Sequence, residues 1–597
     1  MGQSWGQWRS KARWASAIAL ATCSAAAFAQ SQPSGAPTRE DLTRERAEPA
    51  PPSSGRLSIE GGIERAPCPL ADPRFSGVTV RLGGVRFDGL EAVPDEALRP
   101  AWEAVAGREV AIATLCEIRD RAATILRARG YLAAVQIPPQ RIEPNGTLRV
   151  DVLMARLTRI QVRGDAGNSA GLIERLLRDV AGDRPFNVHA AERKLLLARD
   201  LPGFDIRLVL RPATDRPGEI TGEALVTREV VQADLNVQNF GSSPVGPYAG
   251  LARVQLNDLI GLGDATILSA YNTANIDEQS VLGIAHSLAI GANGLRFAAD
   301  FTYAWSRPSI GTNRLRSLTW VAGAELSYPI LRRQARTLVG RVGFEAIDQR
   351  IRFGSLPLTT DRLRTFTAAL QLDLTDPRSI DRRIGYSVVE PRWRLGGDVE
   401  LRQGLAGLGA SEPCGVGLVR CLPPAVPLSR LAADPQATLL RFNLAGEFRP
   451  LPRLTFALRT RAQYSDQVLL SFEEIGAGNY TIGRGYDPGT LLGDSGVGVA
   501  AEIRLGSAVA HRQRRLALQP YAFFDGAWNW RNDAGPMSGD PQRILSTGAG
   551  VRGAWRDLLR FDATIAVPLD RAPFATARRD VRFLFTITTR LLPWRFS

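Results

Sequence analysis

Lysine is almost absent: Lys11 and Lys194 are the only two among 74 basic residues. Arginine therefore carries nearly all the positive charge, and with 60 acidic residues the formal net charge is +14. A basic chain raises nucleic acid as a partner. Here the arginines are spread along strand-like and turn-like segments rather than gathered in a patch, so no nucleic acid is expected. A solvated interior lined by arginine fits that spread and would favour anions. Histidine is as scarce: His189, His286 and His511 stand apart. Cysteine spacing does not suit a metal centre, so no metal is expected. No P-loop, no HExxH and no Ser/His/Asp set within a motif occurs. The chain is expected to be neither an enzyme nor a cofactor carrier. After the N-terminus no apolar run approaches the roughly 20 residues of a membrane-spanning helix.

The N-terminus points to export. Arg9, Lys11 and Arg13 precede an apolar, small-residue stretch from Ala15 to Ala29, and Ala27-Phe28-Ala29 offers a cleavage signal before Gln30. Residues 1–29 read as a signal peptide. Leu20-Ala21-Thr22-Cys23 makes a poor lipoprotein site, because a small residue is expected before the cysteine. The mature chain is then periplasmic or built into the outer membrane as strands. Cleavage leaves Cys68, Cys116, Cys414 and Cys421, an even set in an oxidising compartment, which suggests disulfides. Cys414 and Cys421 bracket a glycine-rich loop and pair by proximity. Cys68 and Cys116 then pair by elimination. Four free or buried thiols are the alternative, and the sequence does not fix the connectivity.

Residues 30–77 are rich in Pro, Ser, Arg and Glu and read as a linker. Within them Thr38–Ala47 is a candidate short helix, capped by Thr38 with Asp41 three residues on. Residues 78–154 read as an α/β module: a strand at Val78–Phe87, helices at Pro94–Ala106 and Ala111–Arg129, then strands at Tyr131–Ile137 and Thr147–Leu153. Leu115, Ile118, Ala122, Ile125 and Leu126 share one helical face, and Gly130 stands where glycine ends helices. Residues 155–228 repeat the β-α-α-β-β order, with strands at Leu157–Val162, Phe204–Leu210 and Glu219–Val226 around helices at Ala170–Val180 and Val188–Leu201.

From about Val230 onward the helical period gives way to alternation. Ala252, Val254 and Leu256 alternate with Arg253, Gln255 and Asn257. Val581, Phe583, Phe585 and Ile587 alternate with Arg582, Thr586 and Thr588. One face suits lipid and the other water, which predicts an all-β transmembrane barrel of about 16 antiparallel strands over residues 229–597. Pro593 should stop the last strand, near Leu591. A soluble all-β array is the alternative, disfavoured by export and by phenylalanine on the outward faces.

Several motifs carry a resemblance. Arg129-Gly130-Tyr131-Leu132, with Ile137-Pro138-Pro139-Gln140, resembles the first periplasmic module of two-partner secretion transporters, the haemolysin-activator-like members of the POTRA-barrel superfamily. Asn239-Phe240-Gly241-Ser242 and Gly261-Leu262-Gly263-Asp264 resemble that family's first hairpins, and Thr375-Asp376-Pro377-Arg378 a mid-barrel turn. Gly483-Arg484-Gly485-Tyr486 resembles the loop motif that folds back into the lumen. Phe523-Phe524-Asp525-Gly526 resembles a wall motif, with Asp-Gly-Ala where Asp-x-Gly is expected. The chain also ends on Ser597 rather than on an aromatic residue, which bears on recognition by the barrel-assembly machinery. The resemblance implies an outer-membrane transporter with two POTRA-like modules in the periplasm, a secreted partner protein bound there unfolded, and contact with outer-membrane lipid and lipopolysaccharide. It also makes Thr38–Ala47 the candidate for a helix that plugs the barrel, a disordered linker being the alternative.

Physical chemistry adds a reason for the loop motif. Arginine presents a planar fork of donors that an aspartate can accept twice, while flanking glycines allow close approach. Arg484 is therefore expected to bind Asp525, beside Phe523, with Tyr486 packing nearby. The alternative function is an assembly or insertion factor of the same superfamily. A porin or a barrel-borne enzyme is a third reading, opposed by the two modules and by the missing catalytic set.

Overall fold

The computed structural model describes residues 37–43, 68–182, 184–213, 216–308, 315–380, 385–510, 515–535, 540–556, 558–573, 575 and 580–593. The signal-peptide segment 1–29 and His511 lie outside them.

In the first module Thr79–Asp88 pairs in parallel with Gly146–Met154 and antiparallel with Glu109–Ala111, while Ala133–Gln136 completes a four-stranded sheet. The helix Thr114–Ala128 lays Leu115, Ile118, Ala122 and Leu126 on the sheet, all buried. Pro94–Ala106 is not an α-helix: it forms two 3-10 turns, Asp95–Ala101 and Glu103–Val105. Pro100 is the reason, since it lacks the amide hydrogen and its ring clashes with the carbonyl four residues earlier. In the second module Arg156–Gly164, Glu219–Arg228 and Phe204–Pro212 form a three-stranded sheet under the helices Ala170–Arg178 and Val188–Arg199.

Among the described residues from Val231 onward, 16 strands form a closed antiparallel barrel, from Val231–Gln238 to Arg582–Leu592, which pair with each other to close the wall. The last strand runs one residue past Leu591 and stops at Pro593. Between Val230 and the C-terminus the α-helix among the described residues is one turn, Pro377–Ile380. Alternation sorts the side chains. Phe301, Leu326, Val342, Leu370, Phe442, Phe456, Ile503, Phe524, Ile565 and Phe583 point outward and are exposed. Their neighbours Thr302, Glu325, Arg341, Arg441 and Glu502 point inward. Large apolar side chains exposed on the outer face of strand after strand are not what the surface of a soluble monomer shows. Hydrocarbon is the solvent that suits them. Tyr328, Trp393 and Trp555 sit near the end that carries the modules, and Tyr464 and Trp530 near the far end, as aromatic side chains do at lipid–water boundaries.

Candidate functional site

Because hairpins alternate ends, the loops at 405–437 and 465–494 and the segment 531–535 share the barrel end opposite the modules. The 30-residue stretch 465–494 does not project outward. It folds into the lumen, where Leu469, Leu470, Phe472, Ile475, Ile482, Tyr486 and Leu491 are all buried. Its tip is held by Arg484. The guanidinium donates to Asp525 through Nε (2.9 Å to Oδ2) and Nη2 (2.7 Å to Oδ1), and the Arg484 amide adds a third bond to Oδ2 at 3.0 Å. Nη1 reaches a second wall acid, Glu502, at 2.7 Å. The guanidinium stacks 3.6 Å from the centroid of the Phe523 ring. Arg552 braces the same acid, bonding Glu502 at 2.9 and 3.0 Å and Asp562 at 2.7 Å.

The flanking glycines are required by space. A Cβ on Gly485 would lie 2.8 Å from Ser546 Cβ and 3.1 Å from the Pro568 backbone. Gly483 has φ +121°, and a Cβ there would meet Ile544 at 2.7 Å. Tyr486 is fully buried; its hydroxyl donates toward the carbonyls of Leu545 and Asp570, both at 2.8 Å, and accepts from the Asp570 amide at 3.0 Å. The motif thus joins the loop to four consecutive wall strands, from Ser495–Leu505 to Leu559–Pro568.

A second cluster lies deeper in the lumen. The helix Arg39–Thr43 sits inside the barrel, and Thr38 caps it, with Asp41 accepting from the Thr38 amide at 2.8 Å. Arg39 bridges the wall and the loop, at 2.9 Å from Glu345 and 2.7 Å from Glu473. Arg402 bonds the same two acids and Glu400, and Arg441 reaches Glu473 at 2.9 Å. Burial works against the charge on Glu473, but Arg39, Arg402 and Arg441 outweigh it and hold its carboxyl below the usual range. Pro37 accepts from Gln349 of the wall at 3.0 Å.

The loop 405–437 covers the far end. Cys414 and Cys421 are bonded to each other, as are Cys68 and Cys116, which ties the start of the first module to its helix. Cys414, Cys421, Leu428 and Ala433 join one apolar cluster with Leu42 of the helix and Phe472 of the inward loop. Arg430 locks three loops together: it pairs with Glu474 and Asp494 of 465–494, at 3.2 and 2.5 Å, and with Asp533 of the segment 531–535 at 2.5 Å. At the other end the second module is clamped to the barrel. Asp258, with φ +59°, accepts from the Asn168 amide (2.7 Å), Ser169 Oγ (2.5 Å) and Arg228 (3.0 Å). Arg332 grips Asp200 with two bonds of 2.7 Å.

Sequence reading singles out Arg484, Asp525, Phe523 and the glycines. It does not single out Glu502, Glu473, Arg402 or Arg430. For Glu502 and Arg402 the signal is strand alternation, which puts both on the lumen face. For Arg430 there is none, because its loop has no period. Among the described residues no group of three His, Cys, Asp or Glu side chains could hold a metal ion.

Comparison with known proteins agrees with this architecture. Residues 80–154 match the POTRA domain, ShlB-type, and residues 225–553 match the haemolysin secretion/activation protein ShlB/FhaC/HecB. A heme/hemopexin transporter protein HuxB of Haemophilus influenzae (strain 86-028NP) is 26% identical over 345 residues, 55% of this chain and 59% of the relative. The match thus spans little more than half the length of that curated relative. The fold resembles CdiB from Escherichia coli (TM-score 0.64, 15% identity, 92% of this chain and 96% of that one) and CdiB from Acinetobacter baumannii (0.57, 17%, 92% and 95%). BamA from Haemophilus ducreyi lacking POTRA domains 1-3 shares it less closely (0.53, 13%, 86% and 100%). A ShlB-type POTRA module leading into a closed 16-stranded barrel, matched over more than half the chain, makes this protein a member of the ShlB/FhaC/HecB haemolysin secretion/activation family of the outer membrane.

Proposed function

We propose that this protein exports one dedicated client protein through the outer membrane by two-partner secretion. Residues 1–29 direct its own export, and the barrel-assembly machinery inserts residues 229–597 among outer-membrane lipid and lipopolysaccharide. The modules at 78–154 and 155–228 stand in the periplasm and take an unfolded client segment along a strand edge. Main-chain pairing of this kind tolerates many sequences, which suits the transfer of a long chain. The client then crosses the lumen, and its folding outside draws it forward.

One observation carries the reading: the lumen is closed by a short helix and two loops held largely by arginine–carboxylate pairs on a rigid wall. Water can replace such ionic partners one by one, so this filling separates from the wall more readily than one held by apolar packing alone, even though Leu42 and Phe472 also pack on wall residues such as Tyr271, Val321 and Ile347. The helix Arg39–Thr43 is the removable plug. The Arg484 tip keeps the inward loop registered on the wall while the client passes. The disulfide Cys68–Cys116 holds the first module to its lead-in segment, and Cys414–Cys421 shapes the outer cover.

The test is deletion of residues 78–228 with a short linker in place, followed by quantification of extracellular and outer-membrane proteins. One large extracellular protein should disappear while the barrel still inserts and conducts ions. Unchanged extracellular proteins together with depleted outer-membrane barrels would transfer the assignment to an assembly factor.

A further inference from the structure

Beneath the barrel, where the second module meets it, lies a cavity of about 450 Å³. That size falls within the range of ligand-holding pockets, about 300–1,000 Å³. Its floor is the C-terminal part of the helix Val188–Arg199 with the turn after it, through Leu196, Leu197 and Leu201. Its walls are lumen-facing positions of the barrel: Arg296, Gln371 and Arg394 share the inward alternation, while Phe297, Leu370 and Leu372 take the outward one. Close approach of floor and wall depends on Gly294, at φ +92°, where a Cβ would strike Leu197 at 2.7 Å and Pro329 at 2.8 Å. The cavity therefore belongs to the water-filled side of the wall, out of reach of lipid.

Its charge is unbalanced. Four arginines line it (Arg199, Arg296, Arg332 and Arg394) against two aspartates, Asp200 and Asp373. Arg332 consumes Asp200 in a two-bonded pair. Arg296 donates only to neutral acceptors, the Gly263 carbonyl and Ser287 Oγ, both at 3.2 Å. Among the described residues no carboxylate lies within ion-pair distance of Arg296 or Arg394. Asp200 and Asp264 act on Arg296 only from a distance, so a leucine floor beneath two arginines that no carboxylate touches suits a ligand with apolar side chains and a carboxylate between them.

We infer that this cavity is a receiving site for an extended, acidic-apolar segment of the client as it leaves the second module and enters the lumen. The inference rests on the secretion reading above and adds a place and a chemistry to it: aspartate or glutamate on the segment faces Arg296 and Arg394, and the flanking apolar side chains meet Leu196, Leu197 and Leu201. Opposite charge at such a site sets specificity and on-rate more than total affinity.

The test separates the inference from the reading it rests on. Full-length protein in lipid nanodiscs is titrated against a fluorescein-labelled peptide of alternating glutamate and leucine, with an alternating lysine–leucine peptide and empty nanodiscs as controls. The acidic peptide should bind the protein, and Arg296→Gln/Arg394→Gln should weaken it about tenfold, with the heat-modifiable mobility of the folded barrel unchanged. Equal affinity in the variant, or equal binding of the lysine peptide, overturns the site whether or not the protein secretes. A second arm removes dependence on that variant's folding. A photo-crosslinking amino acid at Gln371 of the otherwise native chain should capture a client stalled by a folded C-terminal fusion. Capture at the outward-facing Leu370 but not at Gln371 would also overturn the site. Peptide binding by the native protein, with no client released by cells that carry it, would instead fault the secretion reading.

Discussion

Arg484 and its two acids set the first expectations. Asp525 and Glu502 are both buried, so removing the guanidinium strands a carboxylate, a loss that costs about 3–5 kcal/mol at a buried pair. The two acids are not equivalent. Glu502 keeps Arg552 and Arg504, whereas Arg484 is the cation bonded to Asp525. Arg484→Ala is therefore expected to release the loop tip and abolish most client release while the barrel still inserts. Asp525→Ala should be milder, because Arg484 retains Glu502. Secretion assays on both variants and their double mutant check the order; an Asp525→Ala defect exceeding that of Arg484→Ala would contradict it.

Glu474 gives a pH dependence. Burial raises its carboxyl from the ordinary 4.5 to about 7, against the pull of Arg430. A carboxyl whose folded pKa is raised binds its proton more tightly folded than unfolded, so stability falls as pH rises across that interval. Glu474→Gln removes the slope. The variant's unfolding temperature should match the native one near pH 4.5 and exceed it at pH 8, followed by heat-modifiable mobility in detergent. A variant less stable at pH 8 would mean the ion pair with Arg430 outweighs the burial cost.

Two disulfides of unequal span act on different elements. Cys414–Cys421 closes a loop of sequence separation 7, and Cys68–Cys116 one of 48. Loop entropy alone predicts about 2.5 kcal/mol for the short crosslink and about 4 for the long one. In hydrogen exchange on the full chain, serine pairs at Cys68 and Cys116 should deprotect the helix Thr114–Ala128 more than serine pairs at Cys414 and Cys421 deprotect 405–437. That outer loop keeps Arg430 and its apolar cluster after the crosslink is gone. What the sequence reveals of such elements follows from periodicity. The helix Thr114–Ala128 is legible because five apolar side chains recur at helical spacing, and the barrel strands are legible because alternation persists through them. The 3-10 turns at Asp95–Ala101 mimic helical spacing until Pro100 intervenes. The outer loop 405–437 and the inward loop 465–494 have no period to read, so neither Arg430 nor its three acids stand out.

At the scale of the molecule, a wall with an apolar outside encloses a lumen filled by separable parts, beneath which a module is clamped at Asp258 and Asp200. Sequence alternation reports the wall and its two faces. It cannot report the lumen filling, because Arg39, Glu345, Arg402 and Glu473 come from four distant stretches whose meeting depends on closure of the barrel. If the client passes through this lumen, the helix Arg39–Thr43 must leave to let it through. Pro37 and Gln349 touch across the helix–wall boundary at 3.0 Å. Cysteines at both positions, joined by a short photocleavable linker, fasten the helix in place without reductant and so spare the native disulfides. The measurement is the amount of client released by cells carrying this linked variant, before and after illumination. Release should stop while the linker is intact and return when light cuts it. Undiminished release from the linked protein would show that the client does not cross the lumen past this helix.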